Sequence, residues 1–174
     1  ADHSALYFAQ FGDGESADTH LRSEIVLLNP RPSSETANLT ARADMGDTLP
    51  LDLAGLQPDP LELSPLGVRI LRSDGEGELV SGSLMVTSSN PLSGTILYSG
   101  GTGLAGVGSG LRTDVPFIAP VLNEPEARRT ALALMNLVSR TVHLTVQLRT
   151  ESGNVRATGE IEVPPDGHRA CFLD

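Results

Sequence analysis

The sequence contains no lysine and no tryptophan, and its only cysteine is Cys171. All twelve basic residues are arginines, and against 22 acidic residues they leave a net charge of −10. A nucleic-acid surface needs clustered positive charge, and only Arg128 and Arg129 are adjacent, so we expect no nucleic-acid partner. A single cysteine excludes an internal disulfide and cysteine-based zinc sites. Because its neighbours are apolar, we expect Cys171 to be a buried, unreactive thiol.

Aromatic residues are also scarce, at 3% of the chain, so the core must be built from leucine, valine, isoleucine and alanine. The 18 glycines and 12 prolines divide the chain into short elements, which is typical of an all-β protein. No apolar run approaches the roughly 20 residues of a membrane span, so we expect no membrane insertion. The first residue is alanine rather than methionine, so we expect a processed or excised segment, and the removal of a signal peptide is compatible with this start.

Short apolar or alternating runs predict strands throughout the first hundred residues. Residues 77–98 read as two strands joined by the tight polar turn Ser88-Ser89-Asn90-Pro91, which predicts a β-hairpin. The other predicted strands of this half are residues 6–11, 23–29, 36–43, 48–53 and 67–72.

One motif occurs twice, as Leu63-Ser64-Pro65-Leu66-Gly67-Val68-Arg69 and as Val163-Pro164-Pro165-Asp166-Gly167-His168-Arg169. Each copy has an apolar residue, a Pro-x-Gly corner and an arginine on a new strand. We expect both glycines to adopt a backbone conformation that is costly for other residues, with a proline fixing the approach and the arginine paired at the strand edge or to carbonyls. The corner residues are Pro65, Gly67, Arg69, Pro165, Gly167 and Arg169.

Other segments also align between the two halves of the chain. Residues 116–121 align with 6–11, residues 130–136 with 23–29, and Leu144-Thr145 with Leu39-Thr40, at offsets that fall from 110 through 107 and 105 to 100 at the corner motif. Offsets that change only at turns are expected of a structural repeat. The sequence therefore predicts two related β units in tandem.

A glycine-rich segment, Ser99–Gly110, separates the two halves and has the composition of a flexible linker. We therefore expect a first β-sandwich unit at residues 1–104 and a second, shorter unit at 105–174, packed on or completed by the first unit or a neighbouring chain. The segment 101–106 matches a dinucleotide-binding fingerprint, but glycines continue where the required helix should begin. We expect a flexible loop there and no nucleotide.

The segment Ala127–Val138 has two interpretations. A plausible cap, an early proline and strong helix formers, beginning at Asn123, favour a helix. The repeat favours a strand, because the equivalent residues of the first half form a short β-branched run ended by Pro30. We prefer the strand and keep the helix as the alternative.

No arrangement typical of catalysis stands out. The four histidines are scattered, and Val68 takes the place of His168 in the first copy of the motif, which favours structural or solvent-facing histidines over a catalytic base. Ser109 is misplaced for a nucleophile elbow. We expect no enzyme and no catalytic residues.

A weak calcium site is the one cofactor that the sequence suggests. Asp13, Glu15 and Asp18 lie in one polar loop, and calcium takes oxygen ligands from such loops. Their spacing matches no known loop motif, so a polar turn without a metal is the simpler interpretation. For glycan binding, Tyr7 and Tyr98 are the only phenols that could stack on a sugar.

The sequence resembles a poorly characterised module found repeated in large secreted bacterial surface proteins. The resemblance lies in residues 6–11, 25–30 and 82–89 and in the closing Gly167-x-Arg169 with Phe172-Leu173-Asp174. It implies immunoglobulin-like β-sandwiches and an extracellular or cell-surface location, and it implies no catalytic residue. The expected function is that of a non-catalytic structural or adhesive module, with a carbohydrate- or calcium-dependent binding module as the alternative.

The second unit has no counterpart of the predicted 77–98 hairpin, so it should present an open sheet edge. We expect the hairpin of the first unit, or the N-terminal segment before Leu6, to cover that edge within one molecule. The alternative is head-to-tail self-association into a filament. The expected partners are accordingly neighbouring modules of the same polypeptide or copies of this chain.

Overall fold

The computed structural model describes residues 4–17, 19–58, 60–100, 103–110, 112–122 and 130–173. Every regular element in these ranges is a β-strand, and all strand pairs are antiparallel. The same ranges contain no helix that is long and apolar enough to cross a membrane. The predicted all-β class is therefore confirmed.

Most strands belong to the first two thirds of the chain. They are β1 (Ser4–Glu15), β2 (His20–Leu28), β3 (Glu35–Ala43), β4 (Thr48–Leu49), β5 (Leu61–Leu63), β6 (Val68–Arg72), β7 (Val80–Ser88), β8 (Ser93–Gly100) and β9 (Gly103–Gly108). The last third contributes β10 (Ala131–Met135), β11 (Val142–Arg149), β12 (Val155–Val163) and β13 (His168–Phe172).

The first nine strands form one sheet, in the order β4-β3-β7-β1-β2-β8-β9, with β5 added to β3 and β6 to β2. One apolar cluster takes side chains from both halves of this sheet, among them Phe8 of β1, Leu84 of β7, Ile25 of β2 and Ile96 of β8. The sheet must therefore close over itself around a shared core. Each of these side chains contributes roughly 1.5–3 kcal/mol by leaving water.

The predicted hairpin at residues 77–98 is wrong. Strand β7 pairs with β1 and β3, whereas β8 pairs with β2 and β9, so the two strands lie in different halves of the sheet. The buried Glu35 holds the connection, because its carboxylate accepts hydrogen bonds from the Ser89 N–H at 3.2 Å and the Asn90 side-chain amide at 2.7 Å. A distant carboxylate thus directs a turn that looks like a hairpin loop in the sequence.

The glycine-rich segment is not a flexible linker, and its predicted loop is also wrong. Residues Gly103–Gly108 form β9, which pairs with β8 from Gly100↔Gly103 to Thr95↔Gly108 and crosses the predicted division at residue 104. All six residues are exposed, so the strand depends on backbone hydrogen bonds and needs no core side chains. Gly101 and Thr102 lie outside the described residues.

The internal repeat is present in the strand pairing. In the first unit β2 pairs with β6 at Leu27↔Arg69, and in the second β10 pairs with β13 at Leu134↔Arg169. These pairs are related by the offsets of 107 and 100 that the sequence alignment contains.

The second repeated pair is β3 with β5, which matches β11 with β12. Glu35 lies opposite Leu63, and Val142 lies opposite Val163, so the offset of 107 continues into β11. This corrects the alignment of Leu39 with Leu144, because the residue equivalent to Leu144 is Ala37.

The second unit is shorter than the alignment predicts. Residues 112–122 contain no strand, although residues 116–121 align with part of β1. Within Ala127–Val138, residues Ala131–Met135 form a strand, as the repeat favours, and residues 123–129 lie outside the described residues.

The corner glycines do not adopt the backbone conformation expected of them. The residues with positive φ are the ones before them, Leu66 at 53° and Asp166 at 51°. The nearly equal angles show that both corners have the same conformation. The left-handed region is costly for a leucine and easier for an aspartate.

Both corner glycines lie where a Cβ atom would be crowded, and the crowding is greater at Gly167. A Cβ atom on Gly67 would lie 3.0 Å from the Ser64 carbonyl oxygen. A Cβ atom on Gly167 would lie 2.5 Å from the Asp44 carbonyl oxygen, which belongs to the first unit. The second corner therefore meets the first unit backbone to backbone.

Replacing Leu66 by asparagine should stabilise the protein by about 1 kcal/mol, because asparagine tolerates positive φ and the exposed leucine side chain buries little surface. Urea denaturation followed by circular dichroism measures the change. Leu66→Ala is the control and should bring no such gain, because it keeps the Cβ atom that causes the strain. A loss of stability in Leu66→Asn, or an equal gain in both variants, would contradict this explanation.

Candidate functional site

A buried asparagine anchors the corner of the first unit. The side-chain amide of Asn29 donates to the carbonyls of Ser33, Leu63 and Ser64 at 2.8, 3.4 and 3.1 Å. Its side-chain oxygen accepts the N–H of Arg31 at 3.1 Å. One fully buried side chain therefore ties the loop after β2 to the end of β5.

Asn136 makes the same contacts in the second unit. Its amide donates to the carbonyls of Arg140, Val163 and Pro164 at 2.7, 3.3 and 2.7 Å, and its oxygen accepts the N–H of Val138 at 3.0 Å. Every partner is the equivalent, at an offset of 107 or 100, of a partner of Asn29.

The backbone around the two asparagines repeats as well. The N–H of Asn29 donates to the Gly67 carbonyl, and that of Asn136 donates to the Gly167 carbonyl, both at 2.9 Å. These contacts were not predicted, although both asparagines end the aligned segments 23–29 and 130–136. The signal in the sequence was an asparagine placed identically in both copies.

The corner arginines both donate to backbone carbonyls. Arg69 bonds to Gly55 at 3.3 Å and to Gln57 at 2.9 Å, and Arg169 bonds to Glu162 at 3.2 Å. Pro65 and Pro165 precede the positive-φ residues of the two corners. The repeated motif is thus a structural device in both units.

His168 joins the second unit to the first. The ring is buried, with Nδ1 2.8 Å from the Asp44 carboxylate and Nε2 2.9 Å from the Gln10 side-chain oxygen. The His168 N–H also donates to the Asp44 carbonyl at 3.1 Å. The equivalent residue Val68 is exposed, so this histidine has a role that its counterpart lacks.

Two of the acidic residues proposed for calcium, Asp13 and Glu15, are described by the structure, and both contact other protein groups. The Asp13 carboxylate accepts the N–H of Gly75 at 2.8 Å. Glu15 lies 3.8 Å from the His20 ring, and Asp18 lies outside the described residues. In the described part of the chain, no three histidine, cysteine, aspartate or glutamate side chains are grouped to hold a metal.

An open depression of about 680 Å³ lies beside these acidic residues, lined by Glu15, His20, Tyr98 and Leu104 among others. The Tyr98 hydroxyl donates to the Gln10 carbonyl. Burial raises the pKa of this phenol, because the charged form would be poorly solvated. Tyr98 is therefore held by the fold and presents only part of its surface to the depression.

Cys171 is exposed, which corrects the prediction of a buried thiol. Its equivalent in the first unit is Leu71, which is completely buried. Positions 71 and 171 both have apolar neighbours in the sequence. The difference arises because the first unit packs further strands over this face.

The apolar face of the second unit is open in the same way. Ala41 of β3 is 2% exposed, whereas the equivalent Leu148 of β11 is 42% exposed. On the partner strand β12, Val155 is 47% exposed. A face that forms the core of the first unit is thus accessible in the second.

Residues 112–122 add more apolar surface. Val115, Phe117, Ile118 and Leu122 are all exposed, and Ile118 is 95% exposed. Several large apolar side chains exposed close together in the chain can mark an interaction site. The open face of β11–β12 and this segment are therefore the candidate functional site. The sequence predicted an open edge in the second unit, but it did not assign that edge to β11 or include residues 112–122.

Comparison with known proteins adds no relative: no family model, no curated protein and no solved structure matches this chain.

Replacing either corner asparagine by alanine should destabilise the protein by about 3 kcal/mol, because several buried carbonyls lose their donor. Urea denaturation of Asn29→Ala and Asn136→Ala measures the loss. Asn154→Ala, at an exposed turn, is the control and should have little effect. A small loss at Asn136 with a large loss at Asn29 would contradict an equal anchoring role in both units.

The equivalent positions 71 and 171 should differ sharply in reactivity. Native Cys171 should react with a thiol reagent almost as fast as in the unfolded chain. A cysteine introduced by Leu71→Cys, in a Cys171→Ser background, should react at least roughly 100-fold more slowly, because it reacts only after the first unit opens. Equal rates in the folded proteins would show that the two units are equally open, contrary to their burial.

Proposed function

We propose that this chain is a non-catalytic structural module that joins other modules through the open face of its second unit. The observation that carries this proposal is the contrast between equivalent residues: Leu71 is buried and Cys171 is exposed, and Ala41 is buried while Leu148 is half exposed. An exposed apolar sheet face lowers the solubility of a protein, and such faces are commonly covered by a binding partner.

The use of the buried polar side chains supports a structural role. Asn29, Asn136 and Glu35 bind backbone or neighbouring amide groups, and His168 bridges two side chains of the other unit. A catalytic group has to reach a substrate from a cleft. These groups are instead occupied in holding strands and corners.

The finer description follows from the sequence resemblance. We interpret the two repeated units as immunoglobulin-like β-sandwiches of an extracellular or cell-surface protein, of which the chain is a building block. The antiparallel strands around a shared core in the first unit and the repeated strand register support this interpretation. Its partners would be neighbouring modules of the same polypeptide or copies of itself, joined into a larger structure or filament.

A ligand-binding module is the second candidate, and the depression beside Glu15, His20 and Tyr98 is the observation that favours it. A glycan array combined with calcium calorimetry tests this alternative. Saturable binding that is lost in Glu15→Gln would favour it over the structural proposal.

The isolated chain should associate at high concentration through the open face. Light scattering should give a mass above that of the monomer, rising with concentration, because exposed apolar surface is buried on contact. Leu148→Glu, on β11, should abolish this rise. Leu104→Glu, at an exposed position on β9 of the first unit, is the control and should not.

Two outcomes would count against the proposal. A strictly monomeric chain at every concentration would contradict association through this face. Loss of association in Leu104→Glu but not in Leu148→Glu would place the contact at the edge of the first unit instead.

A further inference from the structure

Strand β7 has a central place in the first unit. It lies between β1 and β3 and pairs antiparallel with both. Its side chains Leu84 and Val86 are buried in the core. The strand therefore occupies one edge of β3 and adds its own buried side chains to the core beside it.

The second unit has the equivalent of β3 without a strand in that place. Strand β11 corresponds to β3 at an offset of 107, and β12 takes the edge that β5 and β4 take on β3. In the described part of the chain, β11 pairs with β12 alone. Its other edge is the one on which β3 holds β7.

The offset also gives the register on that edge. In the first unit Leu39 lies opposite Val86, and Ala41 lies opposite Leu84. The residues of β11 in these positions are Val146 and Leu148. Both lie on the apolar face of β11. A strand like β7 would therefore place one apolar side chain opposite Val146 and another opposite Leu148.

The exposed segment before β10 aligns in sequence with β1, which is the other neighbour of β7 in the first unit. In the first unit Phe8 of β1 lies opposite Leu84 and is 2% exposed. The sequence alignment places Ile118 at the position of Phe8, and Ile118 is 95% exposed. The apolar residues of segment 115–122 thus lack the neighbour that β7 gives to β1.

We propose that the free edge of β11 binds an extended, uncharged strand with the chemistry of β7, supplied by another polypeptide segment. The strand would pair antiparallel with β11, with apolar residues opposite Val146 and Leu148, and would order segment 115–122 on its other side. Such strand addition takes its affinity from backbone hydrogen bonds and its specificity from alternate side chains. The inference rests on the proposed function and deepens it by naming the partner.

Strand β7 of a second copy of this chain is not readily available as the donor. Both edges of β7 are already paired, with β1 and β3, so a copy could donate it only by opening its own first unit. The chemistry of the donor follows from β7 itself, since Val80–Ser88 contains no charged residue. A chain with a net charge of −10 would also repel an acidic strand.

A peptide with the sequence of residues 79–90, which contains no charged residue, labelled with a fluorophore and added to the full chain, tests the proposal. Fluorescence anisotropy should show saturable binding. Leu148→Glu should weaken it at least tenfold, because a carboxylate would lie opposite the apolar Leu84 of the peptide, and Leu104→Glu should not change it. A control peptide with Leu84→Ser and Val86→Ser should bind at least tenfold more weakly.

Hydrogen exchange locates the bound peptide. Amides of β11 and of residues 117–121 should become protected, and those of β9 should not. For a weakly binding peptide, a copy of residues 73–90 appended after Asp174 raises its local concentration and repeats the Ser73–Leu79 connection between β6 and β7. The appended copy should protect the same amides and raise the thermal midpoint.

Three results would overturn the proposal. Equal binding to Leu148→Glu would show that β11 is not the site, and protection at β9 would place the strand on the first unit. Failure of both the free and the appended strand to protect β11 would show that the edge accepts no such strand. Self-association that requires Leu148, without binding of the peptide, would leave the proposed function standing and remove only this assignment of the partner.

Discussion

The repeated fold depends on one interaction, the buried side-chain amide of an asparagine that donates to several backbone carbonyls at once. Asn29 and Asn136 each connect the loop after one strand to the end of another strand and to the Pro-x-Gly corner. A corner whose carbonyls all receive a donor has one acceptable geometry, because any shift would leave buried polar groups unpaired. The strand pairs that start from the corners consequently have the same register in both units.

The sequence predicted the features that depend on neighbouring residues. Its predictions were wrong where contacts with residues distant in the sequence determine the structure. Turn residues and alternation were enough for the all-β class, and the duplicated corner motif marked two strand pairs that have equivalent registers. The connection from β7 to β8 looked like a hairpin because its turn residues are ordinary, but Glu35 directs it from another strand. The glycines of Gly103–Gly108 have a linker composition, and only the neighbouring edge of β8 makes them a strand.

The exposure of single side chains and the conformation of the corners show the same limit. Cys171 has apolar neighbours in sequence, and its exposure is set by strands that cover Leu71 in the first unit. The positive φ of Leu66 and Asp166 was assigned to the following glycines, because a Pro-x-Gly pattern does not say which residue turns and which one makes room. The alignment contained the two equivalent asparagines. The residues next to them in sequence do not reveal which carbonyls their buried side chains bind.

The contact of His168 with Asp44 and Gln10 helps to set the orientation of the second unit relative to the first, independently of the length of the segment that connects them. Between β9 and β10 the chain passes through residues 109–130, and the buried ring of His168 and the close approach of Gly167 to Asp44 are among the contacts that hold the corner against the first unit. Insertions or deletions in that connection would therefore alter the reach of the chain without turning the second unit relative to the first. Modules linked in series by such contacts would inherit a defined angle at every joint, and the array would have a direction set by side chains.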